Sequence, residues 1–230
     1  MNFLKAKQSY SRAALVQNLM GNWLCKSLQN TGREEFERVF EFGCGQGEFT
    51  QKLQKIIRFK SYVKNDILDY GEDLDVQIFD MNAIATHPLS RQKFDLIASN
   101  ASLQWLSSDA IFPPLAKMLA QNGLLLLSSF LEDNFKEIRQ STGFGLDYLS
   151  FQALKNKLEK HFEILHLEEQ KIPLRFESAL ELFRYLKLSG VNSLGFYPLT
   201  KAFLREFERR FQNRLTHHIV LILCQKSKNL

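Results

Sequence analysis

The chain has 230 residues, with 30 Lys+Arg against 25 Asp+Glu for a formal net charge of +5, 45% hydrophobic residues, 11 Gly and 5 Pro. These proportions exclude a disordered tail, a collagenous chain and a low-complexity linker, and the length suits one large α/β domain or two small ones. No apolar run approaches the roughly 20 residues that cross a bilayer, the first residues lack the order of a signal peptide, and Cys25, Cys44 and Cys224 form no C-x-x-C pair, so free thiols in a reducing cytoplasm and no zinc site are expected.

In chain order, Phe3, Tyr10, Ala14, Val16, Leu19, Trp23, Leu24 and Leu28 recur at helical spacing, and Gly32 ends that helix. A short strand, Val39–Phe42, runs into the glycine cluster Gly43-Cys44-Gly45-Gln46-Gly47, after which Phe49, Leu53, Ile56 and Ile57 resume helical spacing. Strands follow at Ser61–Val63, closing on Asn65-Asp66, at Asp75–Phe79, closing on Asp80, and at Phe94–Ser99, followed by Asn100 and a helix through Ile111 to Ala120. Within that stretch Phe112-Pro113-Pro114 reads as a turn. Gln121-Asn122-Gly123 is a second turn, and Leu124–Ser129 is a continuous apolar strand of the kind buried on both faces. His161–Glu168 and His218–Gln225 read as two more strands, separated by about fifty residues of helical character. Strands alternating with helices predict a doubly wound, mostly parallel sheet with ligands at the carboxyl ends of its strands.

The charge is uneven. Lys171–Leu230 holds eleven Lys/Arg and four Asp/Glu, so this last quarter carries +7 and the preceding 170 residues −2. A basic patch there suits an acidic partner as well as it suits a solvated helix face. There is no dense Lys/Arg run with interleaved aromatics to suggest nucleic acid.

The glycine cluster stands where a strand turns into a helix, where glycines let the backbone approach a ligand closely. The nicotinamide fingerprint G-x-G-x-x-G would need glycine at position 48, which is Glu48. The sequence Glu41-Phe-Gly43-Cys-Gly45-Gln-Gly47 instead resembles motif I of the Rossmann-like methyltransferases that bind S-adenosylmethionine. Asp66 stands where a carboxylate takes both ribose hydroxyls, although that residue type also suits a turn. The resemblance further implies that Asp80 lies by the adenine amine, that Met81 packs on the purine, and that Phe94–Asn100 is the fourth-strand motif. The residues after that strand are Asn100-Ala-Ser-Leu, not the (N/D)-P-P-(Y/F/W) of enzymes methylating adenine or glutamine nitrogens. His87, His161, His166, His217 and His218 are scattered and no metal-ligand spacing appears. The lack of an evident general base suits a carboxylate nucleophile, which is already ionised and needs only positioning and desolvation.

Ser99-Asn-Ala-Ser-Leu-Gln104-Trp105-Leu resembles the S-N-x-x-L-Q-W signature of the malonyl-acyl carrier protein O-methyltransferases of biotin synthesis. Tyr10 to Gln17 is similar to that family's Y-x-x-x-A-x-x-Q helix, and Asn134–Arg139, Gly145–Ser150 and Leu186–Asn192 are similar to further segments of it. Leu215-Thr-His217-His218 departs from the L-T-Y-H pattern.

The resemblance implies one methyltransferase domain: a helical lid over 1–31, a cofactor-binding core over 32–170, a helical cap over 171–215, and a last strand over 216–230. The sheet is expected to be seven-stranded with one antiparallel strand. Glu41, Gly43, Gly45, Gly47, Asp66, Asp80, Met81 and Gln17 are expected to hold S-adenosyl-L-methionine, and Tyr10, Asn100 and Gln104 to serve the transfer itself. Trp105, Tyr148, Lys187 and Asn192 are expected on the substrate side, though Trp105 suits a core position equally. The implied substrate is the free carboxylate of a malonyl group on acyl carrier protein or coenzyme A, with neither nucleic acid nor membrane as partner. Arg184, Lys187, Lys201, Arg205 and Arg209 are candidates for docking the acidic carrier. The alternatives are a methyltransferase for another small carboxylic acid and a non-catalytic S-adenosylmethionine-binding protein.

Overall fold

The computed structural model describes residues 15–71, 75–188 and 199–226, so Tyr10 and Asn192 lie outside the described residues. The described residues hold seven strands: β1 (Glu35–Phe42), β2 (Arg58–Asp66), β3 (Val76–Ile78), β4 (Phe94–Ser99), β5 (Leu119–Phe130), β6 (Phe162–Arg175) and β7 (Arg214–Lys226). They form one sheet in the order β3-β2-β1-β4-β5-β7-β6. The pairs β2–β3, β1–β2, β1–β4 and β4–β5 are parallel, and the sheet as a whole is mixed and mostly parallel. The helices are α1 (Leu15–Gln29), α2 (Glu48–Gln54), α3 (Ser108–Met118), α4 (Lys136–Thr142), α5 (Phe151–Glu159), α6 (Ala179–Leu188) and α7 (Lys201–Phe211). None of the described helices is long and apolar enough to cross a membrane.

The chain divides into two compact units. Of the described residues, the larger comprises 17–71, 75–130, 150–169 and 220–226, and the smaller 15–16, 131–149, 170–188 and 199–219, so β6 and β7 each contribute to both. In the larger unit β1, flanked by β2 and β4, buries Val39, Phe40 and Phe42, and Phe40 packs on Phe94 of β4 with ring centroids 5.3 Å apart. Each fully buried ring of this kind is worth roughly 2–3 kcal/mol of hydrophobic stabilisation. Leu124–Leu127 of β5 are buried throughout, as the continuous apolar run requires. Because β1, β2, β3 and β4 are parallel, Asp66 at the end of β2 and Gly43, Phe79 and Asn100 just after β1, β3 and β4 share one edge of the sheet.

Three local expectations are corrected. Pro113 and Pro114 lie inside α3 rather than in a turn. The backbone bonds they forgo would fall on the carbonyls of Asp109 and Ala110, which are exposed residues, so water can take their place. β5 begins at Leu119, before the expected turn. Phe94 pairs with Leu119 but Leu96 with Leu124, so the extra residues of β5 form a bulge, with Asn122 at φ 61°. At Gly123 a Cβ would meet the Ala120 and Phe94 carbonyl oxygens, each at 3.0 Å, which is why no side chain fits there. β6 and β7 are also longer than their apolar cores, because Lys171–Arg175 and Arg214–His217 continue the strands into the smaller unit.

The smaller unit takes up much of the phenylalanine, of which the chain has 20. Phe135, Ile138, Ala179, Leu182, Phe183, Leu186, Phe207 and Leu215 form its core, flanked by Phe176, Tyr185, Phe203, Leu204 and Phe211. Phe203, Phe207 and Phe211 recur every fourth residue along α7, and Phe183 of α6 meets Phe207 edge-on at 5.1 Å. Thr200 caps α7 by accepting the Phe203 N–H at 3.1 Å. The departing His217 is 1% exposed in this core, near the Phe135 ring and 3.3 Å from the Tyr185 hydroxyl. Burial lowers its pKa to about 3, so it is neutral at physiological pH.

Candidate functional site

The glycine loop leaves β1 with Gly43, Gly45 and Gly47 at φ 63°, 55° and 83°, all in the left-handed region. Gly43 is fixed by contact as well as by conformation, since a Cβ there would lie 2.1 Å from Ser102 Oγ and 2.5 Å from Ser102 Cβ. Ser102 also donates to the Gly43 carbonyl at 3.2 Å, and Ser99 Oγ donates to the Phe42 carbonyl at 2.7 Å, stitching the end of β4 to the end of β1. At Gly45, by contrast, a Cβ would meet nothing within 4 Å. The loop is thus packed at its first glycine and open at its second.

Asp66 closes β2 and is 7% exposed. Its Oδ2 accepts the Gly45 N–H at 2.8 Å and its Oδ1 the Leu68 N–H at 3.0 Å, so the carboxylate braces the glycine loop while each oxygen retains a lone pair for a hydroxyl. Asn65 beside it donates to the Gln77 and Phe79 carbonyls at 3.0 and 2.9 Å, and the Phe79 N–H donates to the Asp66 carbonyl at 3.1 Å. These bonds hold the end of β3, and therefore Asp80 and Met81, next to the end of β2. Asp80 is exposed and Met81 buried. Asp80 Oδ1 accepts both the backbone and side-chain N–H groups of Asn82, leaving Oδ2 without a hydrogen bond among the described residues. Ile67, which sequence reasoning missed, is 59% exposed directly after Asp66. An apolar residue following a strand-end acid was the available signal.

Glu41 is 1% exposed and accepts the Tyr62 hydroxyl at 2.6 Å. Burial pushes its carboxyl up to about 7, against the opposing effect of that hydrogen bond. Burial and the Glu41 charge together push the Tyr62 phenol upward. The three cysteines are free and buried, and burial raises Cys25 to about 11 and Cys44 and Cys224 to about 12, so all three thiols are protonated at neutral pH. Among the described residues no His/Cys/Asp/Glu group could hold a metal ion.

Beyond β4 the chain turns through Ala101, at φ 55°, into a short 3-10 turn, Leu103–Trp105. Asn100 donates to the Gln17 carbonyl of α1 at 2.9 Å and accepts the Ser128 hydroxyl at 2.7 Å. Gln104 donates to the Ala101 carbonyl at 2.6 Å and stands 3.4 Å from Ser129 Oγ. The structure thereby brings Gln17, Asn100 and Gln104 together, with Trp105 half-buried alongside. Ser128 and Ser129 were not singled out from sequence; two hydroxyls closing an otherwise apolar buried strand were the signal. Gly21 of α1 would place a Cβ 3.3 Å from Phe49 and 3.4 Å from Asn100 Nδ2, so a small residue lets this helix approach both.

Tyr148 and Lys187 belong to the smaller unit. Tyr148 is half-buried, its hydroxyl accepts from Asn134 Nδ2 at 3.0 Å, and burial raises its pKa. Asn134 Oδ1 in turn takes the His218 N–H at 3.3 Å. Lys187 is exposed on α6. Among the cations of this unit, Arg209 is held by Glu206 through two bonds of 2.8 and 2.6 Å.

The edge of the larger unit fits S-adenosylmethionine on three observations. Open space stands over Gly45. Asp66 keeps acceptor capacity after bracing the loop. Gln17 Oε1 is buried with no hydrogen-bond partner, an acceptor suited to an ammonium group.

A family model described as a methyltransferase domain matches residues 16–192. The malonyl-[acyl-carrier protein] O-methyltransferase of Haemophilus influenzae is 34% identical over 98% of this chain and 92% of its own length. The proteins of the same name from Bacteroides thetaiotaomicron and Calditerrivibrio nitroreducens are 32% and 30% identical, covering 98% and 100% of this chain and 96% of each of theirs. Among solved structures, a putative methyltransferase from Bacillus halodurans superposes with a TM-score of 0.61 at 13% identity, over 89% of this chain and 99% of that one. Geranyl diphosphate C-methyltransferase from Streptomyces coelicolor, solved with S-adenosyl-L-homocysteine, gives 0.56 at 11% identity, over 91% and 79%.

Proposed function

The chain belongs to the malonyl-[acyl-carrier protein] O-methyltransferase family, and from that premise we propose that it converts the free carboxylate of a malonyl thioester to its methyl ester, an early step of biotin synthesis. The observation that carries this reading is the similarity, 34% identity over 98% of this chain, to an enzyme of that name, joined to a glycine loop and strand-end acid that fit the methyl donor. S-Adenosylmethionine, when bound, supplies an electrophilic methyl on a positively charged sulfur. Asp66 would hold the ribose hydroxyls through its remaining lone pairs, Asp80 Oδ2 would accept from the adenine amine, and Met81 and Ile67 would wall the purine. Gln17 Oε1 would accept from the ammonium group. Asn100 and Gln104 would orient the acceptor carboxylate, whose ionised oxygen is the nucleophile toward that methyl. The acceptor loses no proton, so no general base is required. Esterification masks a charge that is costly to carry into an apolar channel, which gives the modification a physical purpose in chain elongation.

Purified protein incubated with S-adenosylmethionine and, separately, malonyl-carrier protein, malonyl-coenzyme A or free small diacids tests the reading. Mass spectrometry is expected to show one added methylene on a malonyl thioester, whereas a product only from a free acid transfers the reading to another carboxylate.

The carrier docks on the smaller unit. Arg184 and Lys187 on α6 and Lys201 and Arg205 on α7 are exposed, and none of the four makes an ion pair or hydrogen bond among the described residues. Arg209 is the weakest of the five expected cations because Glu206 already neutralises it. Reversing two charges, Lys201→Glu with Arg205→Glu, is expected to raise KM for the carrier-protein substrate about tenfold at low salt, with kcat little changed. Unchanged KM at low ionic strength would remove this surface from the account.

A further inference from the structure

Asn100 and Gln104 each end in a primary amide, and in both the backbone decides which end faces where. Asn100 Nδ2 is 2.9 Å from the Gln17 carbonyl oxygen and Gln104 Nε2 is 2.6 Å from the Ala101 carbonyl oxygen. A carbonyl oxygen only accepts, so the flipped amides would set acceptor against acceptor. The amide oxygens are therefore turned toward serines: Ser128 Oγ is 2.7 Å from Asn100 Oδ1 and Ser129 Oγ is 3.4 Å from Gln104 Oε1. Ser128 is itself oriented, because its oxygen accepts the Ala101 N–H at 3.0 Å and its single proton goes to Asn100. The two serines are 0% and 3% exposed. Ala101, held at φ 55°, is the strained residue through which these bonds run.

With these bonds made, each amide keeps one N–H that no described residue accepts, while each amide oxygen has one of its two lone pairs taken by a hydroxyl donor. An amine acceptor would need carbonyl oxygens to receive its hydrogens. A carboxylate needs donors, and a hydrogen bond from a neutral N–H to a charged oxygen is among the stronger kinds.

We propose that Ser128 and Ser129 are positioning residues that fix Asn100 and Gln104 as hydrogen-bond donors, making this strand end select a carboxylate as methyl acceptor and disfavour an amine. The proposal rests on the carboxylate-methylating function above and adds the residues that determine acceptor class. The serines act through the two amides and touch no reacting atom themselves.

The test compares binding of a malonyl thioester with that of its neutral methyl ester by calorimetry on protein saturated with S-adenosylhomocysteine, alongside kcat and KM. The wild type is expected to favour the free acid. Ser128→Ala and Ser129→Ala are each expected to lower that acid-to-ester ratio about tenfold, the worth of roughly one charge-assisted hydrogen bond. Cofactor affinity should stay within about threefold, since neither serine is a cofactor ligand. Ser128→Thr keeps the hydroxyl and should restore most of the ratio. Asn100→Asp, isosteric but with oxygen in place of the N–H, should reverse the preference. A purely structural role would weaken acid and ester alike, so folded variants that lose both equally, or keep the wild-type ratio, overturn the proposal. Should Ser128→Ala fail to fold, Ser129→Ala decides by the same ratio. A wild type that forms no methyl ester from any malonyl thioester refutes the functional reading instead. A wild type that forms it while the variants keep their ratio refutes only the role of the serines.

Discussion

Asp66→Ala is expected to abolish S-adenosylmethionine binding in calorimetry. The carboxylate has two tasks: its oxygens brace the Gly45 and Leu68 N–H groups, and their remaining lone pairs are assigned to the ribose hydroxyls. Hydrogen bonds to a charged acceptor are worth roughly 1.5–3 kcal/mol each, so losing two weakens binding by at least about 100-fold even before the loop relaxes. Two companion variants separate loop from ligand. Asp66→Asn keeps an acceptor for one N–H and should bind with intermediate affinity. Gly45→Val projects into space that no atom occupies within 4 Å. It should therefore block the cofactor with only a modest loss of folding stability, arising from the side chain at φ 55°. Wild-type affinity in both Asp66→Ala and Gly45→Val would refute the assignment.

Glu41→Gln is expected to stabilise the ligand-free protein above neutral pH. Burial raises the folded-state pKa of Glu41 to about 7 from 4.5. Between those values the folded chain holds a proton that the unfolded chain has released, so this group's contribution to stability falls as pH rises through the window and levels off above about 7. The full gap corresponds to about 3 kcal/mol, an upper figure. Glutamine removes the titrating proton and still accepts the Tyr62 hydroxyl, so denaturant unfolding at pH 8 should show a gain of up to about 3 kcal/mol. The difference between variant and wild type should vanish toward pH 4.5. A wild type whose stability relative to the variant rises with pH would contradict this account of Glu41.

What could be read from the residues follows the range of the interactions involved. Gly43, Gly45 and Gly47 signalled a sharp turn after the first strand because left-handed backbone is a local demand. The strand-end positions of Asp66 and Asp80 were readable because an acid or amide-acid pair interrupts each β-like run. The seven strands were also legible, as Leu124–Leu127 illustrates, since burial on both faces leaves a continuous apolar signature. What escaped depends on register. Ser128 meets Asn100 only because β5 lies beside β4, and the bulge around Asn122 sets which β5 residues face which. Nothing in the string Leu-Ser-Ser-Phe states that pairing. Pro113 and Pro114 misled for a similar reason, since whether proline ends a helix depends on whether the carbonyls it leaves unbonded can reach water. The His217 substitution in the L-T-Y-H pattern was visible as a departure, but its neutral, buried setting against Phe135 and Tyr185 comes from the packing of the smaller unit.

A methyl group received by a carboxylate, rather than by an amine or a carbon, is revealed by the lability of the product. Methyl-labelled S-adenosylmethionine is incubated with the protein and malonyl-carrier protein, with acetyl-carrier protein as the control that lacks a free carboxylate, and the product is then treated with mild base. A methyl ester releases its label as volatile methanol, whereas methyl groups on nitrogen or carbon are retained. The account predicts base-released volatile label from the malonyl substrate and none from the acetyl control. Label that stays on the product after base, or that appears equally with the acetyl control, would contradict it.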